Sequence, residues 1–122
     1  MTTPSGREIE ILKLLWELGS ASVREVHERM CQENDLAFNT VQTLLRIMDE
    51  KGLVTHAARG RTFVYSPAYS REQEAGRFLD TVFDGAMDQC VASLLRSRKL
   101  SADELAQVEA LIADAKRKAK KK

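Results

Sequence analysis

A chain of 122 residues, 43% apolar and 30% charged, has the balance of a folded, helix-rich globular protein, with room for one ordinary core or for a compact head and a smaller helical appendage. Its formal net charge of +1 gives no general attraction to polyanions, and no apolar run approaches the roughly 20 residues of a membrane span, which excludes a membrane-embedded role. The opening Met1-Thr-Thr-Pro-Ser5 lacks the order of a secretory leader, and Cys31 and Cys90 stand apart with no CxxC spacing, so a cytoplasmic protein with reduced thiols and no stable membrane association is expected.

Helix starts are legible because the Ser-x-x-Glu/Gln capping box occurs at Ser5-Gly-Arg-Glu8, Ser22-Val-Arg-Glu25, Ser70-Arg-Glu-Gln73 and Ser101-Ala-Asp-Glu104. After Ser5, the residues Ile9, Leu12, Leu15 and Trp16 recur near helical spacing, and Leu18-Gly19 closes the segment. After Ser22, the stripe Val23, Val26, Met30 predicts a short second helix ending near Glu33-Asn34-Asp35. A third helix is predicted from about Phe38 to Lys51, with Val41, Leu44, Leu45 and Met48 inward and Gly52 as the stop. Two helices joined by a tight turn form a helix-turn-helix candidate. The period then changes. Leu53-Val-Thr-His-Ala57 and Thr62-Phe-Val-Tyr65 are β-prone runs around a basic turn, Ala58-Arg-Gly-Arg61, and Ser66-Pro67 is expected to end the second strand.

Beyond Ser70 the chain is helical again, with apolar positions at Phe78, Val82 and Phe83, at Met87, Val91, Leu94 and Leu95, and at Leu105, Val108, Leu111 and Ile112. Such helices, too few for a second core, bury themselves most simply against a second copy of the chain. The predicted architecture is mainly α with a small β-hairpin. It comprises a winged helix-turn-helix head for DNA binding over residues 1–70, a helical dimerisation region over 71–115, and a basic tail over 116–122, expected to fray. Phe78, Val82, Val91, Leu94, Leu95, Leu105, Val108 and Leu111 are the dimerisation candidates.

Opposite its apolar stripe the third helix presents Asn39, Thr40, Gln42, Thr43 and Arg46, with acidic residues deferred to Asp49 and Glu50. Asn and Gln suit adenine, Arg suits guanine, and Thr suits a phosphate or a thymine methyl, so this face is the candidate reader of a major groove. Arg59 and Arg61 on the hairpin tip are candidates for backbone or minor-groove contact. Trp16 and Tyr65 sit in apolar rhythms and are expected in the core or at its edge. His27 and Cys31, four apart on the second helix, make at most half of a metal site, so no metal and no cofactor are expected. The sequence shows no nucleophile with its base, no phosphate loop and no supported carboxylate pair, so no enzyme activity is expected.

Ile11-Leu-Lys-Leu-Leu-Trp16, Asn39-Thr-Val-Gln-Thr-Leu-Leu-Arg46, Lys51-Gly-Leu53 and Tyr65-Ser-Pro67 resemble the penicillinase-repressor family of BlaI/MecI-type regulators, and the likeness continues through Phe83-Asp-Gly-Ala-Met87 and Leu100-Ser-Ala-Asp-Glu104. The resemblance implies a homodimeric repressor on double-stranded operator DNA of inverted-repeat form, released by an inducing signal that acts through the dimerisation domain. It also implies a membrane sensor protease as a candidate partner. The family's cleavage position falls at Ser93-Leu94, where well-studied members carry an Asn-Phe pair. The chain ends in lysines, in place of the cysteine cluster of the copper-responsive branch. The alternatives are a ligand-sensing winged-helix repressor and a winged helix used only for protein contacts.

Overall fold

The computed structural model describes residues 3–32 and 35–120. All four capping boxes start a helix: Ser5 opens α1 (Gly6–Leu18), Ser22 opens α2 (Val23–Met30), Ser70 opens α4 (Arg71–Phe83) and Ser101 opens α6 (Ala102–Lys120). In each, the serine hydroxyl accepts from the amide three residues on while that residue's side chain accepts from the serine amide, at 2.8–3.3 Å. The helices α3 (Phe38–Glu50) and α5 (Met87–Ser97) start instead at alanines, Ala37 and Ala86, without a side-chain cap.

The hairpin is β2 (Val54–Arg59) and β3 (Thr62–Pro67), paired antiparallel from Val54↔Pro67 to Arg59↔Thr62. Both strands run further than their β-prone cores. Ala58 and Arg59 belong to β2, the turn narrows to Gly60 and Arg61, and β3 continues through Ser66 to Pro67, whose missing amide costs nothing at the last position. Gly60 has φ +64°, the left-handed value that a two-residue type II′ turn requires at its first position. A short strand that the sequence did not announce, β1 (Ala21–Ser22), adds to the other edge of β3, giving the order β1-β3-β2. The predicted hairpin is thus a three-stranded sheet.

Two other expectations are corrected. The second helix stops at Met30 with Cys31 as its C-cap, earlier than its predicted end, because the chain turns so that the Leu36 carbonyl meets the side chains of His27 and Cys31; Glu33 and Asn34 lie outside the described residues. Residues 116–120 of the basic tail, expected to fray, are helical and complete α6. Asp114 pairs with Arg117 at 2.9 Å and Lys118 at 3.3 Å, and cations favour the negative end of a helix. Lys121 and Lys122 lie outside the described residues.

The chain divides into two compact units, Met1–Arg77 and Phe78–Lys122, the division falling within α4. In the first, Ile11, Leu12 and Leu15 of α1, Val26 and Met30 of α2, Val41, Leu45 and Met48 of α3, and Ala21, Leu53, Val54 and Tyr65 of the sheet form one buried cluster. Trp16 lies half-buried at its edge, its indole N–H donating to the Tyr69 carbonyl at 2.8 Å while the Arg71 guanidinium stacks 5.2 Å from its ring. In the second unit Phe78 meets Phe83 edge-on at 6.0 Å, and Cys90 is the buried residue that α4, α5 and α6 together contribute among those described.

Glu8 is the charged residue inside the core, 2% exposed. Its carboxylate accepts from the Lys51 ammonium at 2.8 and 3.1 Å and from the Ser5 amide, joining the start of α1 to the end of α3. Burial pushes the carboxyl up, but the Lys51 and Ser5 bonds outweigh it and hold it below the ordinary carboxylate range. A depressed carboxylate stabilises the fold above its unfolded pKa, and that stabilisation is lost as pH falls through the folded value. Glu8→Gln is therefore expected to cost about 1.5–3 kcal/mol at pH 7 and to flatten the loss of stability on acidification below about pH 4.5. Urea unfolding at a series of pH values checks it; an unchanged acid slope would show that Glu8 is not the group responsible.

Candidate nucleic-acid interface

The turn between α2 and α3 is closed by side chains. His27 Nε2 lies 2.8 Å from the Leu36 carbonyl oxygen, the Cys31 thiol donates to the same oxygen at 3.4 Å, Cys31 Sγ lies 3.2 Å from His27 Nε2, and Phe38 packs edge-on to His27 at 5.5 Å. The pair that resembled half of a metal site fastens the helix-turn-helix. It fixes where α3 starts.

Along α3, burial separates the two faces. Val41, Leu45 and Met48 point into the core, while Asn39, Thr40, Gln42, Thr43 and Arg46 are all exposed. The first turn of α3 carries no acidic residue, and its N-cap, Ala37, supplies no side-chain acceptor, its carbonyl taking the Thr40 and Val41 amides at 3.1 and 3.3 Å, so the positive dipole end of α3 has no side-chain cap. This surface offers donors, amides and a guanidinium on a helix of 13 residues. It has the dimensions and chemistry to enter a major groove.

Arg59 ends β2 and Arg61 forms the turn, and both are exposed. Among the described residues neither they nor Arg46 has a carboxylate within ion-pair distance, so all three guanidinium groups are open to an outside anion. Between α3 and the hairpin lies a cluster that sequence reasoning did not assemble. His56 of β2 bonds through Nδ1 to the Asp49 carboxylate, and its ring lies 4.8 Å from Phe63 and 5.8 Å from Tyr65. Burial raises the Tyr65 phenol pKa, Asp49 raises it further and Arg46 opposes. The available signal was the hairpin register: with Gly60 as the turn, His56 falls opposite Tyr65.

The dimerisation candidates fall in the second unit. Phe78, Val82, Leu94, Leu95, Leu105 and Leu111 are exposed, reaching 70% at Leu111, and Val91 and Val108 are half-buried. Ser93 and Leu94 lie inside α5, both exposed. No helix among the described residues is long and apolar enough to cross a membrane.

A sequence profile of the family described as "Penicillinase repressor" matches residues 4–114. The penicillinase repressor of Bacillus licheniformis is 27% identical over 120 residues, covering 95% of this chain and 94% of its own. The solution structure of the DNA-binding domain of the repressor BlaI is similar over 57% of this chain and 84% of its own, at 30% identity and a TM-score of 0.52. Bacillus licheniformis BlaI, monomeric and in complex with the blaP half-operator, matches 59% of this chain and 88% of its own at 29% identity and a TM-score of 0.52.

Proposed function

The chain belongs to the penicillinase-repressor family, and on that premise we propose that it acts as a homodimer in the cytoplasm, each copy laying α3 in the major groove of one half of an inverted-repeat operator and its β2–β3 wing on the neighbouring backbone. It is a DNA-binding transcriptional regulator of the penicillinase-repressor type and not an enzyme. The observation that carries the proposal is the exposed, acid-free face of α3 from Asn39 to Arg46 beside the open guanidinium groups of Arg59 and Arg61.

The uncovered apolar positions of α4, α5 and α6 support self-association, since a monomer would leave them in water. A twofold pair of recognition helices requires inverted half-sites about one helical turn, or a multiple of it, apart. Release follows when a signal separates the copies through the second unit. A membrane sensor protease is the partner the family implies. A cut at Ser93-Leu94 requires α5 to unwind first, because both residues sit in its hydrogen-bonded interior.

Base readout and backbone contact fail differently. Thr43→Ala or Arg46→Ala is expected to lower the preference for operator over scrambled DNA, each lost base contact costing about 1–3 kcal/mol. Arg61→Ala is expected to weaken both duplexes alike and to reduce the magnitude of the salt slope by about one. Titrations of both duplexes at several salt concentrations decide it. An Arg46→Ala protein with an unchanged specificity ratio, alongside an Arg61→Ala protein that had lost its ratio, would reverse the assignment of groove and wing.

A further inference from the structure

His56 is held on three sides. Its ring leans on Tyr65, which is 6% exposed and fixed in the core, Phe63 covers it from the tip side, and Nδ1 bonds to Asp49. Asp49 lies in the last turn of α3, one helical step from Arg46 on the same side. The bond therefore joins the end of the recognition helix to the base of the hairpin. An imidazole with its proton on Nδ1 makes it as a donor, and an imidazolium makes it with a charge added. The groups facing the imidazole are Asp49 from α3 and Tyr65 and Phe63 from β3.

From His56 to Gly60 the strand extends about 13 Å, at about 3.3 Å per residue. A tilt of about 15° at the base then sweeps the tip through about 3 Å, more than a hydrogen bond to a phosphate tolerates. Among the described residues β2 is an edge strand of the sheet, with no further strand to steady it. We infer that His56 and Asp49 are positioning residues for DNA binding: their bond sets the angle between α3 and the wing, so that Arg59 and Arg61 reach the backbone while α3 occupies the groove. This rests on the reading of the wing as a DNA contact. It assigns a role to two residues that touch no DNA themselves.

The test is a double-mutant cycle on the full chain, with a duplex of scrambled sequence as the probe, because phosphate contacts are blind to sequence. In the wild-type background Arg61→Ala is expected to weaken binding about 3- to 10-fold and to lower the salt slope by about one. In the His56→Ala background, where the wing is already off its angle, the same substitution is expected to change binding less than about two-fold. His56→Ala alone is expected to lower the salt slope by about two, the loss of both wing contacts. His56→Asn, whose amide N–H can stand where Nδ1–H does, is expected to restore most of the slope, an outcome that general loosening of the hairpin would not give. An Arg61→Ala cost equal in the two backgrounds overturns the inference while leaving the wing's role intact. An Arg61→Ala protein indistinguishable from wild type sinks the wing's role itself, and this inference with it.

Discussion

A chain ending at Arg77 is expected to sediment as a monomer and to bind a complete inverted-repeat operator at least about 100-fold more weakly than the full protein, while binding a single half-site equally well. The first unit keeps its whole buried cluster in such a fragment, together with the Tyr69–Glu74 and Glu74–Arg77 bonds of early α4. The DNA-binding domain of BlaI, similar over 84% of its length, has a structure of its own. What the fragment loses is the surface around Val82, Leu94 and Leu111, each more than half exposed. Tethering two heads turns the second half-site into an intramolecular encounter, and cutting the tether removes that gain without touching a DNA contact. Sedimentation and half-site titration check both parts; a dimeric fragment, or a full chain monomeric at micromolar concentration, would contradict the proposed assembly.

Leu45→Ala is expected to cost about 2–5 kcal/mol and to lower the Tm of the first unit by about 10 °C or more. Leu45 has no exposure, lies on α3 between Val41 and Met48, and belongs to the cluster that unites α1, α2, α3 and the sheet. Truncation leaves a cavity that helices tied at both ends by the His27–Leu36 closure and the Glu8–Lys51 pair cannot easily close. Leu94→Ala is the contrast. At 55% exposure it should leave the Tm of the first unit unchanged and instead weaken self-association. Calorimetry and sedimentation on the two variants separate a core position from an interface position with the same side chain.

The fold was legible where a local rule sufficed. The four capping boxes needed only serine and its partner three residues on, and the faces of α3 needed only helical periodicity, so the outward positions from Asn39 to Arg46 follow from the sequence alone. What stayed hidden was set by contact between distant segments. Strand β1 is two residues long, too short for any alternation, and exists because Val64 and Tyr65 offer it an edge. The early stop of α2 depends on the Leu36 carbonyl, and the Asp49–His56 bond depends on how the hairpin lies beside α3. Glu8 was visible only as half of a capping box, its burial and its Lys51 partner being matters of packing. In the second unit the stripes were plain, yet a stripe specifies what must be covered and not by what.

Ser22 serves two elements at once. As the last residue of β1 it pairs with Val64, and as the N-cap of α2 its hydroxyl accepts from the Glu25 amide, so sheet and helix meet with no intervening linker. The chain has no slack there. One residue added between Ala21 and Val23 must either shift β1 by one position, turning Ala21 out of the core, or leave α2 without its cap. One residue added at Gly60–Arg61 lengthens a free tip and leaves the pairs below it in place. Variation in length among descendants of this gene should therefore collect at the wing tip, while the junction at Ser22 changes its side chains before it changes its spacing.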